Sequence, residues 1–149
     1  NQYYDSHFGK QIITIYPGEF FSTAGDELIS TVLGSCISVT LFDERNAFGG
    51  INHFMYASIS HAIEDSPDMR GRYGEFAVEL LLEDMLKKGA DRTALSAKIF
   101  GGSNVFNLPP DAGIQVGDMN IRFAFDYLKK QNIPIVASDT GGGIAENLF

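Results

Sequence analysis

Apolar and polar positions set the first half of the chain into short β patterns. Gln11-Ile12-Ile13-Thr14-Ile15 alternates as a strand stopped by Pro17-Gly18, and Phe20 to Ser22 continues as an edge strand. Ala24-Gly25-Asp26-Glu27 is a turn, and Leu28 to Leu33 leads into Gly34-Ser35-Cys36. From there the alternation is strict. Ile37, Val39 and Leu41 point one way and claim the core, whereas Cys36, Ser38 and Thr40 point the other way, onto a more polar face. Asp43-Glu44-Arg45-Asn46 then separates this run from a second one, Phe48 to Met55, which predicts a hairpin. Pairing Phe42 with Ala47 closes the loop, and the same register carried back sets Cys36 directly opposite His53. Opposed side chains on one face of an antiparallel pair have Cβ atoms roughly 4.5–5.5 Å apart, close enough for a thiol and an imidazole to share a proton. A one-residue slip, or a bulge at Gly49-Gly50, would undo that pairing.

Further along, the period changes. Ala57 to Arg72, with Ser66-Pro67-Asp68, reads as a long polar loop carrying a solvated His61. Phe76 to Lys88 predicts an amphipathic helix in which Leu81/Met85 and Leu82/Leu86 stack at i, i+4, with Glu83, Lys87 and Lys88 facing solvent and Gly89 as the stop. Leu95 to Phe100 is a strand running into Gly101-Gly102-Ser103-Asn104. Asp118 to Gln131 is a second helix with Phe123, Phe125 and Leu128 on its apolar side and Lys129-Lys130 near its last carbonyls. Ile133 to Ala137 reads as a short strand of the buried type, and Gly141-Gly142-Gly143 ends the ordered pattern. Without internal repeats, this order predicts one domain over residues 1–149: a mixed α/β sandwich with largely antiparallel sheets and two main helices.

Composition narrows the function. A chain of 149 residues, 44% hydrophobic and 20% charged, is expected to bury a real core as a soluble domain. Its net charge of −8 disfavours nucleic acid, which needs a positive surface, and favours a protein or small-molecule partner. No stretch approaches the ~20 apolar residues that span a bilayer, and no signal-like segment is visible. The absence of a methionine at Asn1 leaves room for a native start upstream. One cysteine allows no internal disulfide and no cysteine-based metal cluster, which suits a reducing cytoplasm. His7, His53 and His61 lack zinc-helix spacing, so no metal is expected. Gly101-Gly102 lacks the remainder of a phosphate-loop signature, so it reads as a tight turn and no cofactor is expected. A free cysteine is by default a small buried hydrophobe. The polar face, the small-residue approach through Gly34-Ser35 and the facing His53 weigh against that default and set a reactive thiol beside the structural reading of Cys36.

The segments Thr31-Val32-Leu33-Gly34-Ser35-Cys36-Ile37-Ser38-Val39 and Gly50-Ile51-Asn52-His53-Phe54-Met55 resemble the chemoreceptor glutamine deamidases, the CheD family of bacterial chemotaxis. Tyr16-Pro17-Gly18-Glu19, the helix from Tyr73 to Gly89, Ala97-Lys98-Ile99-Phe100-Gly101-Gly102, and Ile133-Pro134-Ile135-Val136 followed by Asp139-Thr140-Gly141-Gly142 match that pattern in the same order, over roughly residues 12 to 142. Two stretches depart from it: Phe54-Met55-Tyr56-Ala57-Ser58, where the family often has leucine-proline after its histidine, and Gly143-Ile144-Ala145-Glu146-Asn147.

The resemblance implies an α/β sandwich related in layout to a deamidase toxin, and a cysteine hydrolase that converts receptor glutamines to glutamates. By position it implies Cys36 as nucleophile, His53 as general base and Thr31 as third member. Ser30 stands as the alternative, because strand parity puts it on the sulfur's side. Gly34, Ser35, Asn52 and Ser30 are then the candidate binding residues around the triad. A nearby imidazole is expected to hold the thiol partly ionised as an ion pair, the thiolate attacks the amide carbonyl, and a thioester is then hydrolysed. Cleavage of a glutamyl methyl ester is an expected side reaction of the same machinery. The implied partners are chemoreceptor cytoplasmic domains and a CheC-type phosphatase. Two competing readings are a non-catalytic module that docks a receptor or that phosphatase through Phe54-Met55-Tyr56, and a redox-sensing thiol.

Overall fold

The alternation of β5 (Ile37–Asp43) sets the architecture. In the computed structural model, which describes residues 2–55, 74–103, 116–141 and 146–148, β5 is the central strand of a five-stranded sheet. β6 (Phe48–Asn52) and β7 (Leu95–Gly101) flank it, both antiparallel, with β3 (Phe20–Thr23) and β8 (Ile135–Thr140) as the edges. Its apolar side, Ile37, Val39 and Leu41, packs with Ala97 and Ile99 of β7 beneath the two helices, α1 (Gly74–Lys87) and α2 (Val116–Lys130). Val78, Leu81 and Met85 of α1 and Ala124 and Leu128 of α2 complete this core, and Phe54 meets Phe123 edge-on at 6.1 Å between ring centroids. Burying one such side chain contributes roughly 1.5–3 kcal/mol, so this layer holds the sheet and helices together.

A second sheet, in the order β1 (Gln2–Asp5), β2 (Lys10–Thr14), β4 (Leu28–Leu33), β9 (Glu146–Leu148), completes a mixed α/β sandwich with two helices and antiparallel-rich sheets. Two pairs are parallel, β2 with β4 and β7 with β8.

Several expectations are corrected. The hairpin pairs Phe42 with Gly49 and Asp43 with Phe48, which puts Glu44 to Ala47 in the loop. Asp43 joins the strand because its carboxylate accepts from the Asn46 backbone and amide and from the Asp91 backbone, while Ala47 takes a left-handed turn at φ 50°. Moving the loop by one residue shifts the register by two, so Cys36 is not directly opposite His53. β8 is an exposed edge strand rather than a buried one. Ile133 is buried just before it, and Asn132 turns the chain out of α2 at φ 57°. Leu86 is exposed, unlike Leu82, because the apolar stripe of α1 runs through Val78, Leu81 and Met85. β1 and β9 carry no apolar alternation and escape a sequence reading, and β9 lies beyond the predicted end of order. The predicted loop over Ala57 to Arg72, with His61, lies outside the described residues, as do Tyr56, Asn104 and Gly142-Gly143.

Candidate active site

The chain passes from one sheet to the other through Gly34-Ser35-Cys36, between the end of β4 and the start of β5. Three consecutive carbonyls of this crossing are held from outside. The Ser103 N–H donates to the Gly34 carbonyl at 2.9 Å, and the Gly102 N–H donates to the Cys36 carbonyl at 2.8 Å. Between them, the Asn120 side-chain amide donates to the Ser35 carbonyl at 2.7 Å. Gly101, at φ +97°, backs directly onto the crossing: a Cβ there would stand 2.3 Å from the Cys36 carbonyl oxygen. The double glycine therefore serves as the wall against which the cysteine loop is laid. Gly34 and Ser35 are half-buried and form the approach to Cys36, which is 8% exposed.

His53 is reached by the neighbouring strand. Ile37 and Phe54 exchange backbone hydrogen bonds at 2.8 Å each, so the hairpin register continues through this point. That register sets His53 opposite Ser38 and Cys36 opposite Met55. Because the shift from the expected pairing is two residues, parity survives: Cys36, Ser38 and His53 share one face. Carried one residue beyond β5, that register makes Cys36 and His53 a diagonal pair, for which Cβ atoms typically stand about 7 Å apart, a gap that an imidazole can span. The backbone of His53 is held by the turn before β3, donating to the Glu19 carbonyl at 3.1 Å and accepting from the Gly18 N–H at 2.8 Å.

Thr31 is fully buried, and its hydroxyl meets the His53 Nδ1 at 2.7 Å and the Ile15 carbonyl at 2.8 Å. A threonine has one hydroxyl proton. Donated to Ile15, it leaves the oxygen to accept from Nδ1–H, which puts the imidazole lone pair on Nε2. This arrangement satisfies both contacts at once. Ser30 lies on the opposite side of β4 from Thr31, with its carbonyl taken by the Ile15 N–H at 2.9 Å. The parity argument for Ser30 fails because β4 and β5 belong to different sheets, and the intervening loop breaks the alternation between them. Exchanging Thr31 for the isosteric valine is expected to lower turnover by roughly 10²-fold, with Thr31→Ser largely preserving it, in steady-state kinetics on a receptor fragment.

Burial dominates the electrostatics. Desolvation pushes the His53 pKa down to about 4, from an ordinary 6.5, so the imidazole is neutral at neutral pH. Burial thus works against the charged imidazolium half of the expected ion pair. The acid limb of kcat/KM is expected near pH 4 rather than 6.5, as a pH–rate profile would show. Stability carries the same sign. Between about 4 and 6.5 the unfolded chain binds a proton that the native state refuses, so this contribution is complete above 6.5 and is lost as pH falls.

The remaining sequence candidates fall apart from Cys36, His53 and Thr31. Asn52 turns its amide into the structure, accepting from the Val39 N–H at 2.8 Å and donating to the Ala77 carbonyl at 3.3 Å, which ties the sheet to α1. Phe54 of the aromatic run is core. Two groups were not anticipated. Asn120 stands on the same helical stripe as Ala124 and Leu128, so a polar residue at an apolar position was its signal. Ser38 is fully buried opposite His53, with no hydrogen-bond partner for its hydroxyl among the described residues. An open cleft of about 580 Å³ lies farther along the same face of β5, lined by Ile29, Thr40, Phe42, Lys98 and Phe100 among others, and Cys36, His53 and Thr31 do not line it. Among the described residues no group of His, Cys, Asp or Glu could hold a metal ion, and no helix is long and apolar enough to cross a membrane.

Comparison with known proteins places the chain. A family model described as CheD chemotactic sensory transduction matches residues 55–148. The chain is 43% identical over 142 residues to a probable chemoreceptor glutamine deamidase CheD 1 of Shewanella oneidensis, covering 93% of this chain and 66% of that protein. It is 44% identical over 137 residues to the protein of the same description from Albidiferax ferrireducens, covering 92% of this chain and 56% of the relative. The chain thus spans between about half and two thirds of the length of these relatives. Among solved structures, the Bacillus licheniformis hypothetical protein YfiH shares the fold, with a TM-score of 0.51 at 12% identity over 84% of this chain and 51% of that one. The order of motifs, the sandwich and the matches over nearly the whole sequence agree: this chain is a member of the CheD family.

Proposed function

We propose that the protein hydrolyses glutamine side-chain amides of chemoreceptors to glutamates, with Cys36 as nucleophile, His53 as general base and acid, and Thr31 as the residue that orients the imidazole. The observation that carries this reading is the buried Thr31–His53 contact, whose hydroxyl proton is committed to Ile15. It leaves a neutral ring with Nε2 basic, on the face that carries Cys36.

The reaction runs in two halves. Nε2 takes the thiol proton as Sγ bonds to the amide carbonyl carbon, and the imidazolium then gives that proton to the amide nitrogen as the C–N bond breaks and ammonia leaves. His53 next removes a proton from water, which attacks the Cys36 thioester. The C–S bond breaks, the thiol is restored and glutamate remains. Backbone N–H groups at Ser35 and Cys36 are the proposed donors to the tetrahedral oxyanion. A glutamyl methyl ester fits the same steps with methanol as the leaving group.

Such a substrate places the work in the cytoplasm, on receptor cytoplasmic domains, and family membership supports docking to a CheC-type phosphatase as a second role of the fold. The test is incubation with a receptor cytoplasmic fragment followed by peptide mass spectrometry. Conversion of glutamine to glutamate that requires Cys36 supports the hydrolase. Receptor binding without conversion supports the docking module instead. Conversion that survives alkylation of Cys36 contradicts the proposed nucleophile.

A further inference from the structure

The cysteine loop is oriented by a side chain outside the triad. Each of its three successive carbonyls has a donor: the Ser103 and Gly102 backbones for Gly34 and Cys36, and the amide of Asn120 for Ser35. Of the three, only the Asn120 contact comes from a side chain. Asn120 is itself fully buried on α2, whose neighbouring apolar residues Ala124 and Leu128 anchor the helix in the core. Its 2.7 Å bond therefore ties the loop to a rigid element.

A trans peptide points its carbonyl oxygen and its N–H in opposite directions. Holding the Ser35 oxygen toward α2 therefore turns the N–H of the same peptide, that of Cys36, away from α2. In acyl transfer, the nucleophile's own backbone N–H is one of the donors that stabilise the tetrahedral oxyanion. The next peptide confirms the sense of the chain. The Cys36 carbonyl is held by Gly102, and the Ile37 N–H on its other side donates to Phe54 at 2.8 Å. The loop is thus fixed plane by plane, and the plane that carries the Cys36 N–H depends on Asn120.

We infer that Asn120 is a positioning residue for the reaction: by holding the Ser35 carbonyl it aims the Cys36 N–H at the developing oxyanion. The inference rests on Cys36 being the nucleophile of the proposed deamidation.

Asn120→Leu keeps the bulk and removes the donor without adding charge; Asn120→Ala removes both the donor and the bulk. Three readouts are taken per mole of folded protein: kcat and KM for a receptor fragment, and the rate at which iodoacetamide alkylates Cys36. Alkylation is an SN2 reaction that forms no oxyanion, so it reports the thiol and its base alone. Both variants are expected to lose roughly 10–10² in kcat, with KM and the alkylation rate held within about twofold. An unchanged kcat in the folded fraction of either variant overturns the inference, as does alkylation falling in step with turnover, since the residue would then serve only the thiol or the fold. Cys36→Ala, run alongside, separates the two ideas: if it still deamidates, the proposed chemistry fails, and if it is inactive while the Asn120 variants turn over normally, only the positioning role fails.

Discussion

Cys36→Ala is expected to lower glutamine deamidation by roughly 10⁴-fold or more while leaving the protein folded. The two halves of the expectation have separate causes. Without sulfur no thioester forms, and the buried neutral imidazole has only water to activate against a poor leaving group. Structurally the change is small. Cys36 occupies the end of a crossing whose backbone is held by Gly102, Ser103 and Asn120, none of which contacts the sulfur through these bonds. The Thr31–His53 contact belongs to β4 and the segment after β6, and is expected to persist. Circular dichroism and thermal melting would check the fold, and mass spectrometry of the receptor fragment would check the activity. A melting temperature close to native with activity lost is the predicted combination.

Gly101→Ala is expected to damage stability and activity together. An alanine must adopt φ +97° there, and its Cβ would lie 2.3 Å from the Cys36 carbonyl oxygen. That oxygen cannot retreat freely, because it accepts from the Gly102 N–H, and the strand behind it is paired on both sides. Backbone strain and a clash with backbone together predict a loss of roughly 2–4 kcal/mol, or a fall in Tm of roughly 5–15 °C for a chain of this size. Gly89→Ala is the control. Gly89 also has positive φ, +106°, but a Cβ there meets nothing within 4 Å, so strain alone should cost about 1 kcal/mol and leave turnover unchanged. If the two variants melt alike, the wall that Gly101 forms behind the cysteine loop is not the tight one described here.

The parts of this molecule that a sequence shows are those with a period. Ile37 to Phe42 declared its buried face, the two helices declared their stripes, and the order of elements gave a mixed sandwich. The face shared by Cys36 and His53 was legible for the same reason, and it survived a hairpin shifted by two residues because an even shift preserves parity. Their exact pairing was not legible. It turned on whether Asp43 ends the strand or begins the loop, and that was decided by hydrogen bonds to Asn46 and to the distant Asp91. The choice between Ser30 and Thr31 was hidden because it depends on two sheets facing each other, which no local alternation encodes. The depressed basicity of His53 is likewise a property of assembled burial. Asn120 lies 85 positions from Ser35 and left only the trace of one polar residue on an apolar stripe.

The most direct measurement follows from the proposed substrate being a protein: the proposed acyl intermediate would be a covalent conjugate between receptor and enzyme. Mixtures of enzyme and receptor fragment quenched in acid during turnover are predicted to contain a conjugate that hydroxylamine releases and that peptide mapping assigns to Cys36. It should be absent from Cys36→Ala and should form more slowly in Thr31→Val. A conjugate mapped to any other residue, or glutamate produced at the native rate by the Cys36→Ala protein, would contradict the account.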